Sequence, residues 1–498
     1  MTMHAMLKTL LLTRASWALA LALATALPVQ AASDAAAAES PTACRLRGLE
    51  HEALCGSVQR PLDPAQPQGV QIGVNYAVLP ALARNKRPDP VFFFAGGPGQ
   101  SAIEIAPQVA TMLARFANRR DIVLIDQRGT GRSAPLLCDA DDPSLPLAEL
   151  FSFERQREQL AACLTRLKAL PYGDLRFFTT TLAMQDADAV RAALGAERIN
   201  VVGASYGTRA ALEYQRLYPQ RVRRAVIDGV APADMVLPVA VSTDNQAALD
   251  ALFTACEADK ACASREPQLR ERWRAWLASL PRTVSSRHPL TDRSERLTLT
   301  RETVLGLVRG PLYAPTLSAA LPAAIGQATQ GRLDALAALA QALGGRRGLR
   351  MAAGMHFSVV CAEDYPRLAA ATDTPGSDFG DSFAMLYRET CAAWPRGAVE
   401  PSFYALSAAP SATLVLSGGI DPVTPPRHGE RVAKALGAKA RHVVVANAGH
   451  GVMGLGCLRD VLFRFVDAPT DDDALKVETG CAAAIPRPPM FAQPEAGK

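Results

Sequence analysis

Three residues in this chain have the types and local settings to break an acyl bond together. Gly203-Ala204-Ser205-Tyr206-Gly207 sets a serine between two glycines, directly after the apolar run INVV (199–202) and before the helical stretch TRAALEYQRLY (208–218). A serine forced into a tight strand-to-helix turn has a strained backbone and an exposed hydroxyl, and only glycine-sized neighbours two positions away avoid a clash. That hydroxyl is a weak nucleophile until a base takes its proton, and the base needs an acid to orient it. Asp421 follows the run ATLVL (412–416) within SGGIDPVTP, and His450 follows HVVV (442–445) within NAGHG. We therefore assign Ser205 as nucleophile, His450 as general base and Asp421 as the orienting acid. Asp228, after AVI (225–227), competes for the acid role, but it precedes a long break in the strand pattern and lacks the proline-rich exit of the later loop. His428 near a helix start and His442 at a strand start read as structural.

Acyl transfer also needs N–H donors aimed at the developing oxyanion, each worth on the order of 10²- to 10³-fold. The amide of Tyr206, next after the serine, is one candidate. Gly97 in Gly96-Gly97-Pro98-Gly99, after PVFFF (90–94), is the other, since Pro98 has no N–H. This glycine loop lacks the Lys-Ser/Thr of a phosphate-binding P-loop and the G-x-G-x-x-G spacing of a dinucleotide site. No Cys-x-x-Cys or spaced Cys/His cluster occurs, so neither a metal nor a cofactor is expected. Gly380-Asp381-Ser382 resembles an esterase motif by coincidence only, for it lies far from any strand-end histidine.

These residues fall just beyond short apolar runs, the place where open α/β sheets bind ligands. The runs at 90–94, 121–125, 199–202, 225–227, 412–416 and 442–445 alternate with helical stretches, predicting a mostly parallel central sheet with helices on both faces. Between about 232 and 410 the alternation gives way to Ala/Leu-rich helical periodicity. The expected fold is therefore an α/β-hydrolase fold with an inserted, mainly helical cap; the order Ser, Asp, His along the chain fits that fold and neither the chymotrypsin nor the subtilisin order. The expected organisation is a leader at 1–31, the first part of the core at 32–231, the cap at 232–410 and the rest of the core at 411–498.

Lys8 and Arg14 precede an uncharged run (15–27) and a short Pro-Val-Gln-Ala stretch, the pattern of a secretory signal peptide cleaved after Ala31. Its removal takes the net charge from +5 to +3, nearly neutral for 498 residues. The basic residues are scattered, so a nucleic-acid partner is not expected. No later segment reads as a membrane span, and the oligomeric state is left open. The ten cysteines all follow the leader, as an oxidising compartment, periplasmic or extracellular, permits. Nearest-neighbour pairing would join Cys44 with Cys55, Cys138 with Cys163, Cys256 with Cys262, Cys361 with Cys391, and Cys457 with Cys481.

Ala95-Gly96-Gly97-Pro98-Gly99, then Asp126-Gln127-Arg128-Gly129-Thr130-Gly131-Arg132-Ser133, then Gly203 to Gly207 resemble the proline iminopeptidase and tripeptidyl aminopeptidase family of α/β hydrolases. The C-terminal third, with Cys391, Asp421 and His450, looks like the tripeptidyl-aminopeptidase (TAP-like) ending. Ala95 stands where proline iminopeptidases usually have histidine, which favours the secreted, tripeptidyl-type branch. The resemblance implies a metal-free exopeptidase that acts on the free N-terminus of a peptide substrate, with Asp126 and Arg128 bracing the site. Recognition of a substrate ammonium needs carboxylates facing the pocket, and Glu363, with Asp364 beside it, is the expected amine contact. An esterase or lipase with the same triad is the second reading, and a non-catalytic protein that keeps the fold is the third.

Overall fold

The computed structural model describes residues 40–344 and 351–491; the expected leader lies outside them. Strands β1 (Thr42–Cys44), β2 (Ala53–Pro61), β3 (Gln71–Leu79), β4 (Val91–Phe94), β5 (Ile122–Ile125), β6 (Ile199–Ala204) and β7 (Val222–Asp228) precede the long interruption. β8 (Arg282–Arg287) and β9 (Ser294–Leu299) lie inside it, and β10 (Thr413–Gly418) and β11 (Ala440–Val445) follow it. Among the described residues β8 and β9 form a separate antiparallel hairpin, while the others build one sheet in the order β1-β2-β3-β5-β4-β6-β7-β10-β11. Pairing is parallel from β5 through β11 and antiparallel across β1, β2, β3 and β5.

The strands read as unbroken apolar runs because both faces of the sheet are covered. Val91 and Phe93 of β4 join one core with Leu124, Val202 and Leu416, whereas Phe92 and Phe94 join the opposite core with Ile125 and Val201. Helix α1 (Thr180–Ala193) and α2 (Tyr206–Leu217) pack into the second core through Ala187, Val190 and Tyr214. Every run named from sequence lies on a strand of this sheet. The antiparallel β1–β3 edge was not anticipated, since β2 is mostly half-buried and Gln71, Gly73 and Asn75 interrupt the apolar residues of β3 until Tyr76.

Between β7 and β10 no described residue adds a strand to the sheet. The chain there forms helices including α3 (Leu237–Ala258), α4 (Arg301–Leu312), α5 (Ala353–Glu363) and α6 (Ser382–Ala393), with the β8–β9 hairpin as an unanticipated addition. The hairpin buries Leu297 and Leu299 into a separate apolar cluster built around Trp273, Leu252 and Val308. After β10 come α7 (Pro426–Leu436) and α8 (Leu458–Asp467). All ten cysteines are paired, in the five nearest-neighbour bridges that the sequence suggested. Among the described residues no helix is long and apolar enough to cross a membrane.

Candidate active site

Ser205 sits between β6 and α2 with φ +56° and ψ −124°, a left-handed setting that non-glycine residues rarely adopt. The strain persists because the surroundings hold it: the Ser205 amide donates to the Asp228 carbonyl at 2.9 Å, and its own carbonyl accepts from the Thr208 amide and hydroxyl. The flanking glycines are explained by close approach. A Cβ on Gly203 would stand 2.2 Å from the Gly207 carbonyl oxygen, and one on Gly207 would stand 2.0 Å from that of Phe94. The glycine loop lies directly against the serine, since a Cβ on Gly96 would come 3.2 Å from the Ser205 Cβ.

Asp421 and His450 meet beyond the ends of β10 and β11. His450 Nδ1 lies 2.8 Å from Asp421 Oδ2. The other carboxylate oxygen accepts the amides of Val423 and Thr424 at 2.9 and 3.0 Å, and the Thr424 hydroxyl donates to Oδ2 at 2.7 Å. Burial raises the Asp421 pKa, but the adjacent His450 charge and these hydrogen bonds outweigh it and hold the carboxyl below its ordinary range. Burial likewise pushes His450 down, yet Asp421, with a smaller share from Asp228, wins and holds the imidazole above its ordinary value. His450 and Ser205 converge on the end of β7. The residue after Asp228 is Gly229, where a Cβ would lie 3.3 Å from the His450 ring.

Asp228 is not in the place of the orienting acid. Its Oδ2 accepts the amides of Val452 and Met453 at 2.7 Å each, which ties down the loop just after His450. Burial pushes its pKa up to about 6. His428 pairs with Asp244 of α3 at 2.9 Å, and His442 contacts the Ser417 hydroxyl at 3.0 Å, both away from Ser205's cavity. Gly380-Asp381-Ser382 marks the start of α6 and does not line that cavity either.

A cavity of about 70 Å³ opens beside Ser205, and Gly97 and Tyr206 both line it, as does Thr424. The DQRGTGRS segment braces this region from behind. Asp126 accepts the Ser101 hydroxyl at 2.6 Å and the amides of Ile103 and Arg132, and Arg128 forks onto Asp186 at 2.7 and 2.8 Å.

Glu363 and Asp364 are the residues whose placement differs from the sequence reading. Both are buried, and neither lines the cavity. Arg209 of α2 engages them instead, donating through Nη1 to Glu363 at 3.1 Å and to Asp364 at 2.9 Å, and through Nη2 to Asp364 at 3.2 Å. The Thr180 amide and hydroxyl hold the remaining sites of Glu363. One guanidinium shared by two carboxylates leaves a surplus negative charge. Burial, partly offset by Arg209, pushes Glu363 up to about 7.

Residues from the cap that the sequence reading did not select complete the wall: Arg309, Tyr313, His356 and Tyr387. His356 contacts the Pro98 carbonyl through Nδ1 at 3.2 Å and the Tyr387 hydroxyl through Nε2 at 2.8 Å. Burial lowers its pKa to about 4, so the ring is neutral. A carbonyl can only accept, so Nδ1 carries the proton and Tyr387 donates to Nε2. This relay fixes the glycine loop from the cap side. The Tyr313 carbonyl accepts the His450 amide at 3.0 Å, and its ring meets the imidazole edge-on at 5.3 Å. No local motif marks these residues, because helices far apart in sequence bring them together.

A family model described as alpha/beta hydrolase fold matches residues 89–254, which contain Ser205, and one described as TAP-like protein matches 377–477, which contain Asp421 and His450. The chain is 33% identical over 192 residues to a tripeptidyl aminopeptidase of Streptomyces coelicolor, an alignment covering 35% of each chain. It is 31% identical over 190 residues, 36% of each chain, to the serine protease Hip1 of Mycobacterium tuberculosis. Over 425 residues, 78% of each chain, it is 28% identical to a carboxylesterase B of Mycobacterium tuberculosis. The chain thus spans about a third of the length of the first two relatives.

Proposed function

The chain is an α/β hydrolase carrying a TAP-like C-terminal segment, and from that premise we propose that it is an exported serine peptidase that removes residues from free peptide N-termini. The observation that carries the hydrolase chemistry is the His450–Asp421 contact at 2.8 Å beside the strained turn of Ser205. In this reading Ser205 Oγ attacks the substrate carbonyl carbon while His450 Nε2 takes the hydroxyl proton. The carbonyl electrons move onto oxygen, where the amides of Gly97 and Tyr206 stabilise the charge. Collapse of this adduct breaks the C–N bond as His450 returns the proton to the leaving amine. Water then attacks the acyl-enzyme by the same route and releases the acid. Asp421 keeps the imidazole proton on Nδ1, which leaves Nε2 free to accept.

The peptidase assignment draws on the two peptidase relatives and the TAP-like segment. Export is supported by the leader pattern and by five disulfides, which persist in oxidising compartments. An ester substrate is the second reading. It is favoured by a cavity with no carboxylate among its described lining residues and by the longer alignment to a carboxylesterase.

The deciding experiment compares peptide anilides of one to three residues, with free or acetylated N-termini, alongside short-chain p-nitrophenyl esters. Cleavage that requires the free amine, at a preferred length, is the expected result. Ester turnover indifferent to an amine would overturn the peptidase reading in favour of the esterase.

A further inference from the structure

Among the described residues, two cations, Arg209 and Arg309, line the cavity beside Ser205, and no carboxylate does. Their electrostatic states differ. Arg209 is neutralised by the buried pair Glu363 and Asp364, and its Nη2 also donates to the carbonyls of Pro232 and Met235. Arg309 of α4 has no ion pair among the described residues. Its Nη2 donates to the Tyr313 hydroxyl at 3.3 Å, its guanidinium carbon lies 4.0 Å from the centre of the Phe383 ring, and its buried Nε has no partner.

A guanidinium stacked on an aromatic face is pre-organised and keeps its planar fork of donors for a ligand. A half-buried cation with no ion pair among the described residues favours an anion beside it. A single arginine can hold one carboxylate bidentately through its planar fork.

We propose that Arg309 selects substrates bearing a carboxylate close to the scissile carbonyl. This rests on the reading of Ser205 as nucleophile, but not on the bond being an amide. The carboxylate could belong to the acyl part, as an acidic side chain, or to the leaving part, as the C-terminus of a short peptide. Tyr313 adds a second donor to the same wall. Its position couples the wall to catalysis, because its backbone and ring also contact His450.

The test reads kcat/KM ratios within each enzyme form. Glutamyl against glutaminyl p-nitroanilide reports an acyl-side carboxylate, and trialanine against its C-terminal amide reports a leaving-side one. The p-nitrophenyl monoester of glutaric acid against its methyl-capped form reports the same preference without any peptide bond. A charge-assisted contact predicts a ratio of about 10- to 100-fold for the anionic member of at least one pair. In Arg309→Gln that ratio should fall towards one, and in Arg309→Lys it should fall part of the way. Wild-type ratios near one in all three pairs, or a ratio that survives Arg309→Gln, would overturn the proposal. Peptides that fail while the ester pair discriminates would sink the peptidase reading and leave this one standing. Should Arg309→Gln not fold, glutarate must slow fluorophosphonate labelling of the wild type more than glutaramide does, and equal protection refutes the idea.

Discussion

Replacing Asp421 by asparagine removes one charge and, through hydrogen-bond geometry, inverts the tautomer of His450. The carboxylate serves four donors: the amides of Val423 and Thr424 on Oδ1, and the Thr424 hydroxyl and His450 Nδ1 on Oδ2. An asparagine has one acceptor oxygen and one donor nitrogen. Two backbone N–H groups cannot turn away, so the oxygen must stay with them and the NH₂ must face Thr424 and His450. The hydroxyl can rotate to accept, but the imidazole can accept at Nδ1 only by moving its proton to Nε2. There it can no longer take the proton of Ser205. A wrong tautomer in a triad costs about 10⁴-fold in kcat. Asp228→Asn is the internal control: its two amide donors can stay on the remaining oxygen, and we expect a loss of about tenfold or less. The assay is the rate of fluorophosphonate labelling at Ser205, with p-nitrophenyl acetate turnover beside it and circular dichroism to verify folding. A folded Asp421→Asn enzyme within tenfold of wild type, or a greater loss in Asp228→Asn, would refute the assignment of the acid.

The remaining expectations concern pH and packing. His450 must be neutral to act as base and its pKa is held above the ordinary 6.5, so kcat/KM should fall as pH drops through a limb above 6.5. In Asp421→Asn the residual activity should show that limb moved to lower pH, because burial is then opposed only by the smaller share from Asp228; an unmoved limb would mean that another group titrates. Gly207→Ala should destabilise by about 1–3 kcal/mol and slow labelling, because the new Cβ meets the Phe94 carbonyl at 2.0 Å although alanine is the better helix former. Wild-type melting and labelling would contradict the close approach. Opening the Cys361–Cys391 bridge, which spans 30 residues and joins α5 to α6, should cost about 3–4 kcal/mol, read as a fall of about 4 °C in melting temperature. An unchanged melt would show that the bridge does not constrain the unfolded chain.

The sequence alone determined what is written in short stretches. Six apolar runs announced strands because the sheet is covered on both faces, leaving little polar alternation to blur them. The elbow glycines, the Asp421 and His450 loops and the glycine loop were legible because each depends on neighbours a few residues away. The five bridges were legible as nearest neighbours in the chain. Only the tertiary structure could decide which charges cancel. Glu363 and Asp364 read as a free acidic pair until Arg209, more than 150 residues earlier, is seen between them and the cavity. Arg309 reads as one more scattered basic residue until α4 places it in the wall of the Ser205 cavity, with no ion pair among the described residues. Asp228 and Asp421 follow similar strands, yet Asp421 alone reaches the imidazole while Asp228 holds the adjoining backbone. Coulomb interactions and hydrogen bonds act over a few ångströms of space with no regard for distance along the chain, so this part of the site appears only once the chain is folded.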